Sequence, residues 1–194
     1  MLPSAALPPT LRGGPEHLPG AHTRAGNAMN RTRAGLLSGA ARAFAEHGLR
    51  RSTMQSIAVA AGVAKATLYN HFRTKDEVAA ALLARELDRL SALAASLPRD
   101  QALGALADEL GANPVLRRLA VSEPDVLTSL LTVDSERWAE LTARLGAALQ
   151  VDGDGAEMAG QWLLGVVLQP GRSTTRHRLA GRLASALAAN PADG

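Results

Sequence analysis

The sequence contains no cysteine, which excludes disulfide bridges and thiolate metal sites. Aromatic residues are scarce, five in all: Phe44, Tyr69, Phe72, Trp138 and Trp162. Long apolar runs are missing too. Runs such as residues 78–84 and 162–168 fall far short of the ~20 residues that a membrane span needs. The start, MLPSAALPP, has no basic stretch leading into an apolar block, so no secretory signal is expected. These gaps together predict a cytoplasmic chain with no membrane association. The glycosylation-like triplet Asn30-Arg31-Thr32 is then a chance match.

Catalytic patterns are also lacking. There is no P-loop, no glycine pattern opening a dinucleotide fold and no paired-histidine metal helix. Residues 35–39 read G-L-L-S-G, with the serine misplaced for a nucleophile elbow. Asp152 and Asp154 flank Gly153, but the distal glutamate of a calcium loop is absent. His17 and His22 stand five apart without partners. The expectation is a chain that is not an enzyme, with no catalytic residue, no metal site and no cofactor.

What is abundant is alanine and leucine, both strong helix formers, with few β-branched residues and no strand-like alternation. An all-α fold follows. Charge is unevenly placed. Residues 1–97 carry 12 Lys/Arg against 6 Asp/Glu, and residues 98–194 carry 9 against 12. Within 31–75 eight bases face one acid, Glu46. A basic block joined to an acidic remainder points to a polyanion-binding part attached to a part with another task.

Residues 1–28 hold Pro3, Pro8, Pro9, Gly13, Gly14 and Pro15 and no sustained period, so a disordered leader is expected, with Met29 a possible natural start. Leu36, Leu37, Ala40, Ala41, Phe44 and Ala45 make one apolar stripe of a helix over 31–47, stopped by Gly48, with Leu49 covering the core from the loop. Thr53 is the N-cap of a second helix, with Ser56 at N3 and Met54, Ile57, Ala58 and Ala61 on one face. Gly62 breaks it and Val63 plugs the angle. A third helix spans about 65–71. Leu68 and Phe72 face inward and leave Lys65, Thr67, Asn70 and His71 on the other faces, with Tyr69 at the boundary. Such a short helix, bolted on one side and polar on the other, suits the major groove.

The spaced pattern T-M-x-x-I-A-x-x-A-G-V, then T-L-Y-x-H-F-x-x-K-x-E, over residues 53–77 resembles the DNA-binding signature of the TetR family of transcriptional regulators. The likeness is strong over about 31–80 and extends beyond only as helical character. It implies that Thr53 and Lys75 bind phosphates at helix N-termini, and that Tyr69 and His71 bind phosphates from the recognition helix. It also implies that Lys65, Ala66, Thr67 and Asn70 face base edges or adjoining backbone. The chain departs from the family at Ala64, where a Ser or Thr cap is common. The bland alternatives are a half-buried core role for Tyr69, packing for His71, and plain surface for Lys65 and Asn70.

Domain bounds follow as a leader over 1–28, a helix-turn-helix DNA-binding domain over 29–74, and a helical regulatory and dimerisation domain over 75–190. Lys75-Asp76-Glu77 opens a long helix that Pro98 ends. Short helices follow over about 99–111, 114–121 behind Asn113, and from Ser122 to 131. Another runs to 149 behind Asp134 or Thr132. Residues 153–155 read as a turn before a helix to 168, and a last helix starts at Ser173. The last two helices form an expected hairpin with surplus apolar surface. The resemblance makes them a four-helix bundle across a homodimer. It also implies an inter-helix pocket for an unknown small molecule, with Leu127, Leu131, Trp138, Met158, Gln161 and Trp162 as candidate linings or, alternatively, plain core. The function implied is a repressor that binds a palindromic operator on double-stranded DNA as a homodimer and is released by the ligand. The alternative is an activator, or action through a protein partner.

Overall fold

The computed structural model describes the chain from Ala21 to Ala189. Most of the expected leader lies outside the described residues. The chain divides into two compact units, 1–34 and 35–194. Among the described residues the first unit holds only the start of the first helix. The helical cores and the candidate site belong to the second unit.

Ten helices and no strand are found among the described residues. They are α1 (Ala21–Arg51), α2 (Met54–Ala61), α3 (Lys65–Tyr69), α4 (Lys75–Ala95), α5 (Arg99–Ala112), α6 (Pro114–Ser122), α7 (Pro124–Leu131), α8 (Ser135–Leu149), α9 (Gly153–Leu168) and α10 (Ser173–Ala189). The all-α expectation holds. Helix α1 starts well before the expected Arg31 and is interrupted at Gly48, whose φ of 79° and ψ of 175° suit glycine alone.

The amino-terminal core gathers Leu36, Leu37, Ala40 and Phe44 of α1, Ile57 and Ala58 of α2, Leu68 and Phe72 at α3, and Val78 of α4. On α1 it follows the expected apolar stripe, except that Ala43 is buried while Ala41 and Ala45 are only half-buried. Gly39 lets α1 and α2 touch, since a Cβ there would stand 2.5 Å from Ala61 Cα. The larger body core joins Leu90 and Ala94 of α4, Leu103 and Leu106 of α5, Leu149 of α8, Leu163 and Val166 of α9, and Ala184 and Leu187 of α10. A third, smaller cluster holds Leu119, Leu127 and Val167, with Leu49 and Val115 packed against it.

Two local expectations need correction. Residues 153–155 are the first turn of α9, because Asp152 caps it by accepting from the Gly155 N–H at 2.7 Å. Ser122 does not cap α7. Its hydroxyl turns back to donate to the Arg118 carbonyl at 2.7 Å, and the cap position falls to Glu123, whose side chain makes no capping bond. The last two helices also meet each other only sparsely; α10 lies chiefly along α5. Gly104 and Gly111 of α5 admit His177 and Arg176. Asp108 pairs with both of these side chains, with His177 at 2.6 Å and with Arg176 at 3.0 Å.

Candidate nucleic-acid interface

The candidate interface is built from α2, α3 and the start of α4. Thr53 closes a capping box: its hydroxyl accepts from the Ser56 N–H at 3.1 Å, and Ser56 Oγ accepts from the Thr53 N–H at 2.9 Å. The Thr53 hydroxyl proton remains to be donated outward. Gly62 ends α2 in the left-handed region at φ 70°, and its N–H bonds to Ala58 and Val59 carbonyls. The turn carries the chain into α3, where Leu68 is fully buried and Phe72 nearly so.

That anchoring leaves the opposite side of α3 open. Lys65, Ala66, Tyr69 and Asn70 are exposed, and Thr67 and His71 are half-buried. Tyr69, at 44% exposure, is not a core aromatic. Its ring lies 5.6 Å from Lys65 Nζ, so the ammonium rests over the ring face on the exposed side. Ala64 supplies no side-chain cap to α3, as its identity requires.

Lys75 sits differently from the expected phosphate contact. It is half-buried, and its ammonium donates to the Leu49 and Arg50 carbonyls at 2.8 and 3.3 Å. It thereby ties the carboxyl end of α1 to α4, with one of its three donors left over. The α4 start also has a cap beyond those expected from the sequence. Thr74 Oγ1 accepts from the Glu77 N–H at 3.1 Å, while Glu77 reaches back to accept from the Arg73 N–H at 2.8 Å. The T-x-x-E spacing is the local signal for it.

The six candidate pocket residues divide among different surroundings. Leu127 is buried with Leu119 and Val167, with Leu131 at that cluster's margin. Trp162 packs on the body core. Trp138 lies against Gly160 of α9 and donates to Glu157 at 2.6 Å, and Gln161 donates to the other carboxylate oxygen at 2.8 Å. Met158 is half exposed. Among the described residues no group of three or more His, Asp or Glu could hold a metal ion, and no helix is long and apolar enough to cross a membrane.

Residues 36–82 match the family model described as bacterial regulatory proteins, tetR family. That segment is thus similar to the DNA-binding head of TetR-family regulators. Among its relatives is the HTH-type transcriptional repressor Rv1474c of Mycobacterium tuberculosis, 31% identical over 122 residues, which are 58% of this chain and 59% of that protein. The HTH-type transcriptional repressor KstR2 of the same species is 44% identical over 69 residues, 36% of this chain and 34% of that one. The chain therefore spans little more than half of the first relative and a third of the second. The solved structure of the TetR family repressor AlkX from a Dietzia species has the same fold. Its TM-score is 0.58 at 18% identity, over 81% of this chain and 95% of that one. The TetR-type head and helical body expected from the sequence are thus both present.

Proposed function

We propose that this chain is a cytoplasmic transcriptional repressor of TetR type, regulatory rather than catalytic, that binds a palindromic DNA operator as a homodimer. The observation that carries the reading is α3. It is held to the core by Leu68 and Phe72 and turns Lys65, Ala66, Tyr69 and Asn70 to solvent, beside the outward hydroxyl of Thr53. In this reading Lys65, Ala66, Thr67 and Asn70 face the groove, and Thr53, Tyr69 and His71 hold phosphates. Lys75 joins them with its remaining donor. Two recognition helices meeting half-sites one turn apart require a dimer. Met158 and Leu168 of α9 and Leu179 of α10, each more than 40% exposed, offer the apolar surface for it.

Release is by a small molecule that favours a non-binding state of the body. The segment around Leu127 and Leu131 and the Trp138–Glu157–Gln161 contact are the places for it to act. Screening metabolites for both thermal stabilisation and loss of the DNA complex tests this point.

The decisive experiment is gel retardation with DNA from around the chain's own gene. A specific, salt-sensitive complex is expected. A folded protein that retards no such DNA at low salt refutes the reading. Lys65→Ala is expected to cost about 1–3 kcal/mol on the preferred site and to relax sequence preference. Equal loss on all DNA would instead make Lys65 a phosphate contact.

A further inference from the structure

Glu123, at the corner between α6 and α7, is only 5% exposed. A carboxylate withdrawn from water needs donors. Its donors are backbone amides far away in the sequence. The Leu49 N–H reaches one oxygen at 3.1 Å, and the Arg50 N–H reaches both, at 3.1 and 3.2 Å. The carbonyls of the same two residues accept from Lys75 of α4. The Leu49–Arg50 backbone is thus held on its amides by an acid of the body and on its carbonyls by a base at the edge of the DNA-binding core.

The fit is specific. A Cβ on Gly48 would stand 2.2 Å from Glu123 Oε1, so glycine is what lets the carboxylate reach the amides. Leu49 enters the cluster of Leu119 and Leu127 beside it. Ser52, the other buried polar residue among those described, closes the same turn by donating to the Gly48 carbonyl at 2.6 Å and the Ala43 carbonyl at 3.2 Å. Thr53, the first interface residue, comes next in the chain.

We propose that Glu123 is the positioning residue that fixes the Leu49–Arg50 turn, and through it the DNA-binding unit, against the α6–α7 corner. This rests on the DNA-binding reading above. The bonds of Glu123 go to backbone amides and not to the groove-facing side chains. Without it those side chains stay in place, but the turn before Thr53 gains freedom that DNA binding must remove.

The test uses the full chain with Glu123→Ala and Glu123→Gln, amide hydrogen exchange, and the DNA fragment that the unaltered protein retards. In Glu123→Ala the Leu49 and Arg50 amides should lose protection while Ile57 and Ala58 of α2 keep theirs. DNA affinity should fall about tenfold, within the span of ordinary site-to-site coupling, with the salt slope unchanged. Glu123→Gln, which keeps one acceptor oxygen and the side-chain shape, should fall less in the same direction, and it carries the test if the alanine variant does not fold. Unchanged affinity in the folded variants, while the unaltered protein binds, overturns the proposal. So does a reduced salt slope or loss of protection in α2, which would mean damage to the interface itself. If the unaltered protein retards no DNA, it is the underlying reading that fails, while the exchange result still reports on the Glu123 bonds.

Discussion

At the scale of single residues, the Leu49–Arg50 turn shows how differently two neighbouring acids can serve one corner. Glu123 is buried and bonds to backbone amides. Asp125 is exposed and pairs with the Arg50 guanidinium. That hydrogen bond, together with the guanidinium charge, holds the Asp125 carboxyl below the usual carboxylate range. A value lowered in the folded state means that the pair contributes above the ordinary range and is lost as pH falls through the lowered value. In an NMR titration, Arg50→Ala should move the Asp125 midpoint upward, toward the ordinary range. An unmoved midpoint would show that the pair does not persist in solution, a common fate of exposed ion pairs.

Among the elements, α3 is the weakest on its own terms. It runs only from Lys65 to Tyr69, and Ala64 gives its first turn no side-chain acceptor. Its position depends on Leu68, Phe72 and the Gly62 turn. Ala64 already has the extended backbone of a cap, at φ −66° and ψ 145°. Ala64→Ser should therefore stabilise the fold by about 1 kcal/mol, read as a rise in the urea midpoint at constant slope. A fall would mean that the α3 start is shaped by something other than its missing cap. The other helix starts show which signals are legible. Thr53, Asn113 and Asp134 each cap a helix through an acceptor two or three residues from its donor; local spacing predicts the first two and offers Asp134 beside Thr132 for the third. Residues 153–155 escape that spacing because two glycines around an aspartate also spell a turn. Asp152 Oδ1 bonding the Gly155 N–H decides for helix. Ser122 misleads for a different reason: the place of Glu123 depends on residues 49 and 50, which no local window contains.

For the whole molecule, the proposed function turns on assembly and on the path from body to candidate interface. If α9 and α10 form the proposed dimer surface, sedimentation should show a dimer for the unaltered chain. Leu179→Glu, at a 42% exposed position outside the body core, should give a folded monomer with much weaker binding to a two-half-site operator. A dimer that survives that substitution moves the interface elsewhere. Within one chain, α10 is secured chiefly by α5, through Asp108 with Arg176 and His177, so the substitution need not unfold the body.

The sequence by itself determined the helical class, most of the amino-terminal core and the solvent-facing side of α3, because each rests on short-range spacing: apolar stripes, caps and one glycine turn. It could also mark Lys75 as a conspicuous base at a helix start. Only the tertiary structure decided that Lys75 spends two donors on α1, that α10 lies on α5, that the pocket candidates scatter, and that Glu123 grips the turn before Thr53. Those outcomes depend on which distant backbone groups meet. A buried polar group must find a partner wherever the fold brings one, and no local pattern records where that will be.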